Sequence, residues 1–166
     1  MTDANWPSFL AALAERDQPG ATLGALQTIV REEVGAKLFT VMTFDARTGV
    51  SQRIHSSHSR EYPVSGAKPL SVGLWSRTVI DERRIFVANT IEGIAEVFSD
   101  HELIRSLGCE SVVNLPVVFA GGVVGTINML DGPGHYTPER VARIERLAPF
   151  AALALLAARL SLPKDS

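Results

Sequence analysis

The chain has 166 residues, 46% of them apolar and 20% charged, with a net charge of −2. That balance supports a packed core and excludes disorder as the default state. The 16 Lys and Arg residues are dispersed, which excludes a concentrated basic face for nucleic acid, and the single cysteine, Cys109, excludes an internal disulfide framework or a Cys-based metal cluster.

The first five residues lack the basic start and apolar core of a signal peptide. The most hydrophobic window, Leu147–Ala158, is shorter than the ~20 residues a membrane helix needs. The expectation is a cytoplasmic protein with no membrane partner, folded as one domain over residues 1–166.

Trp6–Arg16 has apolar residues at helical spacing, with Pro7 tolerable in the first turn. Asp17-Gln18-Pro19-Gly20 breaks that pattern. A second helix is predicted over Ala21–Val34, its stripe formed by Leu23, Leu26, Ile29, Val30 and Val34, with Gly35 placed to end it. Leu38–Phe44 reads as a strand, Asp45–Gly49 as a hairpin turn, and Val50–Ser57 as a more polar, edge-like strand.

His58–Val72 carries Pro63, Gly66 and Pro69 without periodicity and reads as a long loop. Gly73–Glu82 reads as a short helix and Arg84–Ala88 as a short strand. Ile91–Leu107 holds one or two short helices, the clearer being Asp100–Leu107 with Ser99 as its N-cap. Val112–Phe119 and Val123–Leu130 are nearly unbroken apolar runs joined by Ala120-Gly121-Gly122, a hairpin expected in the middle of the sheet. Thr137-Pro138-Glu139 opens a last helix that runs to about Leu160. The sum is α+β, with a mostly antiparallel sheet.

Four blocks in this order resemble the GAF domain family: ALQTIVREEVGAKLFTVMTFD, GLWSRTVIDERRIFVANT, FSDHELIRSLGCESVVNLPVVFAGGVVGTINMLD and YTPERVARIERLAPFAALAL. The resemblance spans about residues 23–160, leaving 1–20 as an N-terminal helix and turn. It implies a GAF/PAS-like sheet with the N- and C-terminal helices on one face and short helices roofing a pocket on the other. By position it places Thr40, His55, Leu74, Trp75, Thr78, Thr90, Phe98, Ser99 and Asn128 on the pocket side. GAF domains that bind cyclic nucleotides resemble one another in an Asn-Lys-Phe-Asp-Glu constellation that LDGPGHYTPER does not reproduce. Bilin-binding relatives use a roof cysteine that Ile91–Leu107 lacks. No cofactor is expected.

Each candidate residue also has a plain structural reading. Cys109 reads as a small buried thiol, because nothing near it in sequence lowers its pKa. Asn114 and Asn128 interrupt apolar strands, so each amide must find a partner, in the protein or in a ligand. Counted along their runs they fall on opposite parity, so the two need not share a face. Trp75 and Phe98 are either core or pocket roof, the indole N–H of Trp75 wanting an acceptor. His55 and His58 are three residues apart on an extended segment and have no accompanying ligand set, which argues against a metal. Arg60, Tyr62 and Lys68 either hold an anionic ligand, close over a pocket, or are solvated loop residues.

The helix around Leu147–Leu156 is apolar nearly all round. Either the monomer covers both sides or a partner subunit covers one, and a homodimer through the terminal helices is expected. The leading functional expectation is a non-catalytic sensory or regulatory module that binds an unknown small molecule, acts as a dimer and signals through a separate effector protein. The alternatives are a ligand-free interaction module and a divergent reductase of free methionine sulfoxide. The absence of Ser/His/Asp, dithiol or metal-ligand constellations weighs against an enzyme.

Overall fold

The computed structural model describes residues 5–64, 68–70 and 72–161. Two helices, α1 (Asn5–Ala14) and α2 (Gly20–Glu33), lead into strands β1 (Leu38–Asp45), β2 (Val50–Ser56) and the two-residue β3 (Lys68–Pro69). The helical turn α3 (Leu74–Ser76) continues directly as a π-helical turn, Arg77–Asp81. After β4 (Phe86–Ala88) come α4 (Ile91–Ala95) and α5 (His101–Ser106), then β5 (Ser111–Phe119), β6 (Gly122–Asp131), α6 (Pro138–Glu145) and α7 (Ala148–Ser161). The strand order is β3-β2-β1-β6-β5-β4, and every pairing is antiparallel. The long apolar strands β5 and β6 lie inside the sheet, as their composition requires.

The two faces of the sheet bury different things. On one face α1, α2 and α7 cover Val41, Val113, Leu115, Ile127 and Met129. Phe150 of α7 anchors that layer, stacked 4.2 Å from Trp6 and edge-on at 5.0 Å to Phe9. The all-round apolar character of α7 is therefore met largely inside the monomer, by the sheet below and α1 and α2 beside it. On the opposite face a smaller core joins Leu38, Val112 and Leu130 to Val79, Ile94 and Ile104 of the short helices.

Several local details differ from the sequence expectations. The last helix is not continuous: Arg146 and Leu147 form a turn between α6 and α7. Pro149 explains it, since its ring offers no N–H to the carbonyl of Glu145 and clashes with a continuing helix there. Ser99 is not the N-cap of α5; Asp100 holds that position without a side-chain cap, and its carboxylate accepts from Tyr62 Oη at 2.7 Å instead. The loop after β2 contributes the short edge strand β3. Its Gly66 lies outside the described residues, as does the side chain of Lys68.

Two bulges set the registers. Between β1 and β2, Val41 pairs with His55 while Met42 pairs with Arg53, so Ile54 is the extra residue. Between β5 and β6, Val117 pairs with Gly125 while Val118 pairs with Val123, leaving Val124 extra. Each bulge shifts pairing by one position and so changes which side chains share a face. No helix among the described residues is long and apolar enough to cross a membrane.

Candidate functional site

Between the second face of the sheet and the short helices lies a cavity of about 480 Å³. Its floor is built from β1, β6 and β5, and its roof from α3 and the segment joining α4 to α5. Leu38, Met42, Val112 and Leu130 make the floor largely apolar, and Trp75, Ile80 and Phe98 face it from above.

A row of polar side chains crosses that floor. Thr40, Asn128 and Asn114 are direct cross-strand neighbours on β1, β6 and β5. Trp75 Nε1 donates to Asn114 Oδ1 at 2.9 Å, Asn114 Nδ2 to Asn128 Oδ1 at 2.7 Å, and Asn128 Nδ2 to Thr40 Oγ1 at 3.1 Å. The indole can only donate, and this fixes the direction of the whole row. Asn114 must present oxygen to Trp75 and nitrogen to Asn128, which must in turn present nitrogen to Thr40. The row thus ties the roof helix to the third strand away.

A second row runs parallel to it. Met42 pairs with Arg53 of β2 on one side and Thr126 of β6 on the other, and all three line the cavity. Arg53 Nη1 donates to the Pro63 carbonyl at 3.1 Å, and the guanidinium lies 5.0 Å from the Tyr62 ring centre. Burial pushes the Arg53 pKa down, while Tyr62 and Asp100 push it back up. Burial, and then the bond to Asp100, hold the Tyr62 hydroxyl protonated far above neutral pH.

Six of the nine residues expected on the pocket side line the cavity: Thr40, Leu74, Trp75, Phe98, Ser99 and Asn128. Three do not. His55 is turned to the helix face by the bulge at Ile54; there its Nε2 is 2.7 Å from Gln27 Oε1, and burial lowers its pKa. In an unbulged register it would have stood opposite Thr40, over the floor. Thr78 is buried within the π-helical turn away from the cavity. Thr90 is the N-cap of α4, accepting from Gly93 N at 3.2 Å.

Asn114, Tyr62, Arg53 and Thr126 also line the cavity, outside those nine. Asn114 shares a face with Asn128 because the bulge at Val124 moves it opposite, against the parity count. Tyr62 lines the cavity, whereas Arg60, its neighbour in the loop, is exposed and does not. Arg53 and Thr126 carried no sequence signal beyond being polar residues in strands. Cys109 is fully buried beside this core, and burial raises its pKa to about 11, so its thiolate is scarce at neutral pH. Among the described residues no group of three or more His, Cys, Asp or Glu side chains could hold a metal ion.

The sequence profile of the GAF domain family matches residues 17–156. Among solved structures, the chain is similar to the GAF domain/HD domain protein from Geobacter sulfurreducens (TM-score 0.70, 15% identity, 90% of this chain and 100% of that one). It is also similar to the GAF domain of a two-component sensor histidine kinase from Bacillus halodurans (0.67, 13% identity, 85% and 95%). A third similar structure is the GAF domain from Acinetobacter phosphoenolpyruvate-protein phosphotransferase (0.66, 15% identity, 96% and 98%). No curated protein matches the sequence at a significant level. At these identities the structures speak for the fold, and the profile match across most of the chain speaks for descent. The chain belongs to the GAF domain family.

Proposed function

We propose that this chain is a non-catalytic, small-molecule-sensing module that works in the cytoplasm as a dimer and passes its state to a separate effector protein. The observation that carries the reading is the partly open cavity of about 480 Å³, spanned by a polar row that ends on the roof through Trp75. A mostly apolar cavity with a few placed polar groups is the usual form of a small-molecule site. Its size also disfavours a pocket filled by its own side chains. Membership of a family that occurs in sensory and signalling proteins supports the same role.

The sheet between cavity and terminal helices is one residue thick. Gly125 lines the cavity, and a Cβ placed on it would stand 2.9 Å from Leu155 Cδ1 of α7. A ligand that shifts β6 therefore presses directly on α7. Leu160 of α7 and Leu10 of α1 are 85% and 53% exposed, apolar surface that a second copy would cover. Occupancy would bias how those helices pack, which is the coupling a sensor needs. The burial and raised pKa of Cys109 favour this over a thiol-based reductase.

A thermal-shift screen of metabolites against the wild type and Asn128→Leu tests the reading. A compound that stabilises the first and not the second supports it. A screen in which no compound stabilises the wild type, or in which both respond equally, overturns it.

A further inference from the structure

The cavity has an imbalance that its own side chains leave unresolved: donors without acceptors. Thr126 is only 3% exposed, and its Oγ1 has no hydrogen-bond partner. The Arg53 Nε is buried and also has none. These two residues flank Met42 in one cross-strand row. Thr40, two residues along β1, already accepts from Asn128, and the indole-fixed direction of the row obliges its O–H to donate elsewhere. Three donors on neighbouring positions of one floor therefore await an acceptor.

Charge narrows the class. Among the described residues no carboxylate lies within ion-pair distance of Arg53; Asp100 acts on its half-buried guanidinium only from farther off and leaves it without a direct anionic partner. A neutral occupant would leave it so, at a desolvation cost, whereas an anion would give it charge-assisted bonds. Among the described residues Arg53 is the single cation in the lining, and the lining carboxylates, Asp100 and Glu96, are exposed at the rim. One cation balances one negative charge, and a dianion would carry its second charge toward those rim carboxylates. The remaining walls, with Trp75 and Phe98 above and Val112 and Leu130 below, suit an apolar body.

We propose that the cavity selects a small organic monocarboxylate, its carboxylate received by Arg53 and the Thr126 and Thr40 hydroxyls and its apolar body held beneath Trp75. This rests on the reading of the cavity as a ligand site and adds the ligand's chemical class.

The test is isothermal titration calorimetry of the full chain at neutral pH with matched probes. These are 3-phenylpropionate and 3-phenylpropionamide, octanoate and octanamide, and phenyl phosphate as the dianion. At least one acid should bind about tenfold or more tightly than its amide, as expected for a charge-assisted contact. Arg53→Gln should erase that preference. Thr126→Val should weaken acid binding several-fold while leaving the unliganded melting temperature unchanged or higher, since it removes an unpaired buried hydroxyl. That pairing of opposite effects separates ligand contact from a folding defect, and it holds whether or not Arg53→Gln folds. Equal binding of acid and amide, or an acid preference that survives both substitutions, overturns the monocarboxylate class while leaving a ligand site in place. Tighter binding of phenyl phosphate overturns it in favour of a dianion. No binding by any probe overturns the class outright, and the metabolite screen then decides the ligand-site reading separately.

Discussion

Asn114 stands directly opposite Asn128 and donates Nδ2 to its Oδ1 at 2.7 Å, both amides nearly shielded from solvent. Either amide alone in an apolar strand would be a burden. Together, with Trp75 donating at one end and Thr40 accepting at the other, they form a row with a single direction. Replacing one member strands its neighbours, and replacing both strands fewer groups per substitution.

A double-mutant cycle should show this. Asn114→Leu is expected to destabilise by about 2–3 kcal/mol, because the Trp75 N–H and the Asn128 oxygen both lose partners. The double variant with Asn128→Leu should cost less than the sum of the singles by about 1 kcal/mol. Urea melts of the four proteins measure it, and strict additivity would show that the amides do not act as a unit.

Gly125 is where β6 comes closest to its surroundings. A Cβ there would lie 2.2 Å from the Met42 carbonyl oxygen and 2.9 Å from Leu155 Cδ1. Gly125→Ala should therefore destabilise by about 3 kcal/mol, since neither the backbone of β1 nor the packed α7 can yield cheaply. A variant that melts with the wild type would mean the two layers are looser than this packing.

The pKa of His55 is lowered by burial, so the fold favours the neutral ring. The unfolded chain binds a proton near the ordinary value of about 6.5 that the folded chain resists, so stability falls as pH drops through that region. Melting temperature measured between about pH 7 and 5.5 should decline, and His55→Gln, able to keep a bond to Gln27, should flatten part of the decline. An identical pH profile for the variant would contradict the assignment.

Cys109 should be unreactive in the native protein. With the thiol buried and its pKa at about 11, iodoacetamide at mildly alkaline pH should label it far more slowly than it labels the urea-unfolded chain. Equal rates would require a thiol that is exposed or activated.

How much of this was legible in the sequence depends on the residue. The apolar runs and the glycine turn identified β5 and β6, and the helical stripe of Leu23, Leu26 and Ile29 identified α2. The placement of Trp75 and Phe98 beside the cavity followed from the family resemblance. Register did not. Nothing in VSQRIHS marks Ile54 as a bulge, and nothing in GVVGTINM marks Val124, yet those two residues decide that Arg53 and Asn114 face the cavity and His55 does not. A bulge is chosen by the fit of whole strands to the layers around them, and local composition carries little of that. Pro149 is the opposite case: its break in the last helix follows from a missing N–H visible in the sequence.

The central claim is that the cavity holds a small molecule in a dimeric sensor. Native mass spectrometry of the protein as purified from cells, followed by its denatured mass, tests both halves at once. The account predicts a dimer carrying a small mass that is released on denaturation, and the loss of that mass in Asn128→Leu. A monomer, or a dimer whose native and denatured masses agree, would contradict it.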